Sequence, residues 1–303
     1  MRLEILRSGP LTTVQDLGRP GWAHLGVPTS GAADRASLRL ANRLVGNQES
    51  AAALEVTVGG LEVRAVGDLT VAVTGAAGPI TLERTPSPSR VVLRLRSGQI
   101  LRLGPAVAGV RFYLAVRGGV DVPAVLGSRS TDTLSGLGPA VVADGDVLDV
   151  GTEVAGWPVV SVAPGAEPTT APLHLLAVPG PRDRALAAGG RELLQRNGWR
   201  VSARSDRIGV RLEGPPLPMQ GGDVPSEPVV RGAIQVPPGG LPVIFLSDHP
   251  VTGGYPVVAV LREVDVDRAG QLRPGQAVEL RLVSAPPGPN RARRAGFEAV
   301  LVT

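Results

Sequence analysis

Gln15, Asp16 and Arg19 set an amide, a carboxylate and a guanidinium within five residues, on a stretch broken by Gly18 and Gly21. Such a trio can grip a carboxylate or an amide ligand. The same spacing lets Asp16 and Arg19 pair with each other and brace a turn, and the residues alone leave both readings open. A second polar group follows the apolar run Pro242–Leu246: Ser247, Asp248 and His249, then Thr252, Gly253, Gly254 and Tyr255. Here successive backbone N–H groups could converge on one anion, or a Gly-Gly hairpin could simply carry a tyrosine cap. Ser247, Asp248 and His249 do not make a Ser-His-Asp relay, because neighbours on a strand point to opposite faces. A third group joins Arg111, Tyr113 and Arg117 to Gly127, Ser128, Arg129, Ser130, Thr131 and Asp132, a strand and polar loop able to hold phosphate or to cap its own turns. Asp206 and Arg207, followed by Gly209 and Arg211, read most simply as a paired-charge hairpin.

What the chain lacks narrows the chemistry further. All 31 basic residues among 303 are arginine and there is no cysteine. Without lysine there is no Schiff base, no Walker A phosphate loop, no Ser-Lys nucleophile pair and no biotin attachment site on this chain. Without cysteine there is no disulfide, thiol nucleophile or thiolate metal site. The three histidines, His24, His174 and His249, show no metal-ligand spacing, so no metal is expected. The formal charge is only +4 and the arginines are scattered, with the densest cluster at Arg291, Arg293 and Arg294. A nucleic-acid surface needs clustered charge, so none is expected. No apolar run reaches the ~18 residues of a membrane span and no signal-like stretch opens the chain, which leaves a cytoplasmic protein as the expectation.

The elements that must position these residues are mostly strands. With 40 glycines, 29 prolines and 3% aromatics, the sequence reads as short Val/Leu/Ile/Ala strands separated by turns. Runs at Leu61–Val66, Leu69–Val73, Val91–Leu95, Arg111–Val116, Val147–Val150, Pro242–Leu246, Val257–Leu261 and Ala277–Val283 have the spacing of barrels or sandwiches. Two helices are predicted. One runs from about Gly31 to Val45 behind Ser30 as N-cap; the other spans about Arg182 to Arg196 and is weakened by Gly189 and Gly190. Each helix is followed by strands, a hint of a duplicated barrel, and the Pro/Ala/Thr-rich stretch Val162–Pro172 reads as the linker between two domains, 1–165 and 172–303.

Seven segments in order, Thr13–Arg19 (TVQDLGR), Ser30–Asp34, Ala41–Asn47, Gly127–Thr131, Ser205–Gly209, Gly232–Pro238 (GAIQVPP) and Thr252–Pro256 (TGGYP), together resemble the family of the 5-oxoprolinase C subunit, whose other names are allophanate hydrolase subunit 2 and biotin-dependent carboxyltransferase-related protein. The resemblance implies a mainly β chain of two cyclophilin-like β-barrel domains with a few short helices. It implies a B-type partner, similar to the sporulation-kinase inhibitor (KipI-like), and an A-type partner, with which such chains open 5-oxo-L-proline to L-glutamate using ATP as co-substrate. Two other roles remain open from the resemblance: a carboxyltransferase-type protein working with a separate biotin carrier on urea or a similar amide, and a partner-binding regulator without turnover. Carried onto this sequence, it nominates Asp16 and Asp248 to orient water or accept a proton, and Gln15, Arg19, Asp34, Asn42, Gln235, Thr252 and Tyr255 to bind a small lactam or amide. Gln235 and Thr252 would read the amide and Arg19 a substrate carboxylate. ATP is expected to rely on the partner or on a shared cleft using Arg19, Arg111 or Arg129, with Arg111 and Arg129 as the expected phosphate contacts. Asp248-His249-Pro250-Val251 departs from the family's more usual pattern before Thr252.

Overall fold

The structure, a computed structural model, describes residues 1–157, 160–165, 167–220 and 224–284. The arginines at 291, 293 and 294, and the 285–303 end of the expected second domain, lie outside the described residues. Strands dominate; the α-helices among the described residues are α1 (Arg35–Leu44), α2 (Gly190–Arg196) and α3 (Glu263–Ala269). None is long and apolar enough to cross a membrane.

From Arg2 to Val150 the strands form two sheets. A seven-stranded sheet is ordered Val120–Asp121, Val147–Val150, Arg2–Arg7, Glu62–Val66, Ile100–Leu103, Ile80–Leu82, Thr85–Pro86. A five-stranded sheet is ordered Leu11–Gln15, Ala53–Thr57, Ala108–Val116, Leu69–Ala77, Val92–Leu95. The strand Ala108–Val116 shows why the second sheet is apolar on both faces. Because side chains alternate, Phe112, Leu114 and Val116 join Leu3, Ile5, Val63 and Leu101 in one core. Tyr113 and Ala115 point the other way, onto Leu38, Ala41 and Leu44 of α1. Each such side chain removed from water is worth about 1.5–3 kcal/mol, so the sheet is held from both sides.

The strands from Leu173 to Leu282 close into a seven-stranded barrel in the order Leu173–Pro179, Val257–Leu261, Ala233–Gln235, Val243–Phe245, Gly209–Glu213, Trp199–Val201, Ala277–Leu282. Closure comes from a parallel pairing of the first and last of these, with Leu173 beside Val278 and Leu175 beside Leu280. The first strand of the other half is likewise zipped, antiparallel, to Val147–Val150. Trp199 is wholly buried in the barrel, and its indole N–H donates to the Leu194 carbonyl at 2.8 Å.

Both expected helices are present with altered ends. The cap of α1 is Asp34, whose carboxylate accepts from the Ser37 N–H at 2.9 Å. Ser30 instead adopts a left-handed φ of 54° and sends its hydroxyl elsewhere. The predicted helix at 182–196 is split. A 3₁₀ turn at Asp183–Ala185 gives way to extended Leu186, which bridges to Met219, and α2 restarts after Gly189 in the left-handed region. The sequence of α3, Glu-Val-Asp-Val-Asp-Arg-Ala, alternates like a strand and gives no helical period.

Candidate functional site

A buried ionic cluster lies where the two halves meet. Glu55, on the apolar strand Ala53–Thr57, and Asp248, after the strand Val243–Phe245, are both 0% exposed, and Arg207 sits between them at 2%. Arg207 grips Asp248 with Nε at 2.9 Å and Nη2 at 3.0 Å, donates Nη1 to Glu55, and gives Nη2 also to the Gly31 carbonyl at 2.7 Å. Such bidentate, charge-assisted contacts are the strong ones. Glu55 further accepts from the Ala33 N–H at 2.9 Å and the Tyr113 hydroxyl at 2.7 Å, and faces Arg111 Nε at 3.3 Å. Burial opposes ionisation of Glu55, yet Arg207 and Arg111 outweigh it and hold its carboxyl below the usual range. Asp248 follows the same balance, burial against Arg207 and Thr133, and is also lowered. Burial together with Glu55 and Asp34 pushes the Tyr113 phenol well up.

The cluster continues to α1. Asp34 accepts from Ser37 and from Gln271 Nε2 at 2.8 Å; burial dominates and raises its carboxyl despite these bonds. Asp267 of α3 accepts the first free N–H groups of α1, Arg35 at 3.1 Å and Ala36 at 3.2 Å, and pairs with Arg231 at 2.7 Å. A carboxylate at a helix N-terminus meets the positive end of the macrodipole. A cavity of about 440 Å³ opens beside these residues, lined by Asp34, Ser37, Asp267 and Gln271 among others.

The Gln15–Arg19 segment is placed against the loop 127–138, and its charges are used differently from either sequence reading. Asp16 does not pair with Arg19. Its carboxylate accepts from the Gly18 and Arg129 N–H groups, each at 2.7 Å, from Ser128 Oγ at 2.7 Å and from Ser130 Oγ. Asp248 collects still more donors, adding Ser30 Oγ at 2.8 Å and the Thr133 N–H and hydroxyl at 2.9 and 2.7 Å to both arms of Arg207. A carboxylate offers about four lone-pair sites, so neither Asp16 nor Asp248 has one left for a proton in flight. Both, nominated as catalytic, are held in this structure by donors from the chain itself. Arg19 reaches backbone carbonyls of Val125 and Ser130, while Gln15 Nε2 donates to Thr131 O at 2.8 Å.

The other nominated residues are scattered over distinct tasks. Asn42 closes the turn after α1, donating to Ala51 O at 2.8 Å and accepting from Asn47 at 3.0 Å. Gln235 donates Nε2 to the Tyr255 carbonyl at 2.7 Å, Thr252 lies in a two-residue exposed strand, and the Tyr255 side chain is 47% exposed. Arg111 is buried on Glu55, Gly270 O and Asp206 O; Arg129 stays at the surface, on Val122 O and facing Asp121 at 3.4 Å. The two are not brought together, and Arg111 has no face open to a phosphate. His249, lowered by burial, donates Nδ1 to Pro250 O at 2.8 Å. Asp206 and Arg207 do not pair either: Asp206 caps the N–H groups of Ile208 and Gly209 at 2.8 and 3.0 Å, freeing Arg207 for the interior.

Sequence reasoning missed Glu55, Arg207 as an interior cation, and the bracing roles of Asp267 and Gln271. One signal was available. A glutamate in the apolar run Ala-Leu-Glu-Val demands a cationic partner, since an unpaired buried charge is prohibitive.

Comparison with known proteins gives a consistent result. The family profile for the carboxyltransferase domain, subdomain A and B, matches residues 25–282. The chain is 36% identical over 280 residues to the 5-oxoprolinase C subunit of Escherichia coli (strain K12), covering 91% of this chain and 89% of that one. It is 34% identical over 311 residues to urea amidolyase of Lachancea kluyveri, covering 93% of this chain and 17% of that protein. The crystal structure of the K. lactis urea amidolyase superposes with a TM-score of 0.88 at 30% identity, over 99% of this chain and 20% of the other.

Proposed function

Since the chain belongs to the carboxyltransferase domain family of subdomains A and B, whose relatives are parts of amide-processing enzymes, we propose that it is a non-autonomous subunit of an ATP-dependent 5-oxoprolinase. In this reading it opens 5-oxo-L-proline to L-glutamate with a B-type and an A-type partner, in the cytoplasm. The observation that carries its dependence on partners is the saturation of Asp16 and Asp248: both carboxylates that could have served as general base are filled by donors from this chain. With these two occupied, a proton acceptor supplied by a partner at a shared cleft fits the reading. Phosphoryl chemistry also needs cations that neutralise phosphate. Arg111 is occupied by this chain's own acceptors and Arg129 stands at the surface on Val122 O, which favours the phosphates of ATP being held chiefly by the partner.

The substrate assignment is supported by the match to a 5-oxoprolinase C subunit, which runs along nearly the whole length of both chains. Carboxyl transfer to urea is a second reading, favoured by the close superposition on urea amidolyase. The test is release of glutamate and ADP from 5-oxoproline and ATP by a mixture of this chain with its B-type and A-type partners, and by the same mixture lacking one protein. Release that requires all three supports the proposal. Turnover by this chain alone, or none from an assembled complex that carboxylates urea with a biotin carrier, overturns it.

A further inference from the structure

Between its two halves the chain leaves Val154, Trp157, Val160 and Val162 exposed, the tryptophan at 72%. Single-chain surfaces rarely group large apolar side chains so closely. The backbone that carries them is fastened. The Ala155 and Gly156 N–H groups donate to Gly46 O at 2.9 and 3.2 Å, and Gly156 O accepts from Arg117 Nη1 at 2.6 Å. Gly46, φ +72°, leaves no room for a Cβ under the Gly156 carbonyl. Further on, the Val92 N–H donates to Ser161 O and the Ala163 N–H to Arg90 O, each at 2.9 Å, so this part runs along the edge of the strand Val92–Leu95. The Arg117 guanidinium lies over the Trp157 ring, 3.9 Å from its centroid.

The surface beside this strip is cationic. Ala72, Val92, Tyr113 and Ala115 face α1, so alternation puts Thr70, Arg94 and Arg117 on that same side of the sheet. The Arg117 N–H donates to Thr70 O and Thr70 stands opposite Arg94, a row about 10 Å wide across three strands. Arg94 and Arg96 are exposed, and their guanidinium groups have no partner among the described residues. Both line a hollow of about 500 Å³ floored by Leu69, Leu82 and Leu95. Asp68 at its rim is taken by the Ser97 N–H at 2.9 Å. We propose that this strip and hollow dock the A-type partner, through a face that offers an apolar pocket to Trp157 and carboxylates to Arg94 and Arg96. Trp and Arg are the side chains that dominate binding at protein interfaces. Charge decides against nearer occupants. A second copy in twofold contact would set Arg94 and Arg96 against themselves, and the chain's own 285–303 end brings three arginines with one glutamate. The choice of the A-type protein rests on the function proposed above, in which two different partners need room on one chain. None of the residues nominated for the cleft shared with the B-type partner belongs to the strip. Arg117 also donates to Val45 O, at the opposite end of α1 from Asp34, and ten helical residues separate these ends by about 15 Å.

The experiment titrates the A-type protein into the full chain bound to its B-type partner, by calorimetry at low and high salt. The native chain should bind, and more weakly as salt rises. Trp157→Ala should weaken binding about thirtyfold, the loss of one dominant anchor. Arg94→Glu together with Arg96→Glu should weaken it at least as much, because two attractive contacts become repulsive. All three side chains are exposed, so thermal midpoints and affinity for the B-type partner should stay native. Arg94→Lys with Arg96→Lys keeps the charge and should retain most of the affinity; it serves, through its salt dependence, if the glutamate pair does not fold. Acrylamide quenching gives a second readout: the A-type protein should shield a tryptophan in the native complex and not in the Trp157→Phe complex. An A-type protein that does not bind, native affinity in Trp157→Ala or in the charge-reversed pair, or loss of the B-type partner instead would each overturn the inference. Glutamate release by the three-protein mixture, with A-type binding indifferent to these variants, removes this inference alone. A-type binding that fails in the variants, with no glutamate from the native mixture, removes the oxoprolinase reading and leaves the surface.

Discussion

Replacing Arg207 by methionine tests whether the buried ionic cluster holds the halves together. The variant keeps the length and apolar stem but deletes both bonds to Asp248, the contact with Glu55 and the bond to Gly31 O. Glu55 retains Arg111 at 3.3 Å, whereas Asp248 keeps only neutral donors from Ser30 and Thr133. Stripping one partner from a buried pair costs about 3–5 kcal/mol. For a chain of this size that lowers the thermal midpoint by on the order of 10 °C. The pH dependence supplies the sharper check. In the native protein both carboxyls are held below their unfolded values, so their contribution is complete above about pH 4 and fades as pH falls through the lowered values. In the variant, burial without Arg207 lifts Asp248 above its unfolded value, and stability then rises as pH falls toward about 4. Urea unfolding followed by circular dichroism at about pH 8 and about pH 5 should show a wide gap between the two proteins that narrows in acid. A variant within about 0.5 kcal/mol of the native chain, the scatter of surface substitutions, or a gap equal at both pH values, refutes the reasoning.

Two shorter predictions concern the other carboxylates. Asp16→Asn removes the charge that gathers Gly18, Ser128, Arg129 and Ser130, and should cost about 2 kcal/mol while making the loop 127–138 an early site of limited proteolysis. An intact loop at the native midpoint would contradict this. Asp34 is raised by burial, so the native chain loses stability as pH rises from the unfolded carboxyl value through the raised one. Asn also caps helices well, and Asp34→Asn should therefore improve relative to the native chain as pH rises; denaturation midpoints drifting apart in the opposite direction would rule out a buried ionised Asp34 as the cause.

Strands were the legible part of this sequence because their signal is local. Val147–Val150 and Val257–Leu261 coincide end for end with the apolar runs, the first set between Asp146 and Gly151 and the second opened by Pro256. The helix ends were not legible for a physical reason. Ser30 and Asp34 are both good caps, and only the tertiary partners of the Ser30 hydroxyl, Thr131 O and Asp248, each more than a hundred residues away, decide that Ser30 turns left-handed and leaves the cap to Asp34. For α3, alternation of Val with Asp imitates a strand; what makes it helical is that Val266 and Ala269 bury in the barrel core while Asp265 and Arg268 pair one turn apart. The polar motifs were found, but not their uses. Type and spacing marked Asp16 and Asp248 as chemically capable, whereas donor counting, which needs the folded chain, shows them filled.

The first-to-last zipping of each half has a consequence for how the chain is made. Arg2–Arg7 waits for Val147–Val150, and Leu173–Pro179 waits for Ala277–Leu282, so neither half can shut before its own final strand has left the ribosome. The earlier half can shut first. When it does, Glu55 is already walled into its sheet with Arg111 alone, while Arg207, its second counter-ion, belongs to a barrel still being synthesised. A first half closed alone would thus hold Glu55 with one of its two arginines, beside the face that Arg207 comes to cover. Covering that face before Arg207 is in place would bury Glu55 with one counter-ion fewer, which disfavours a wrong neighbour there.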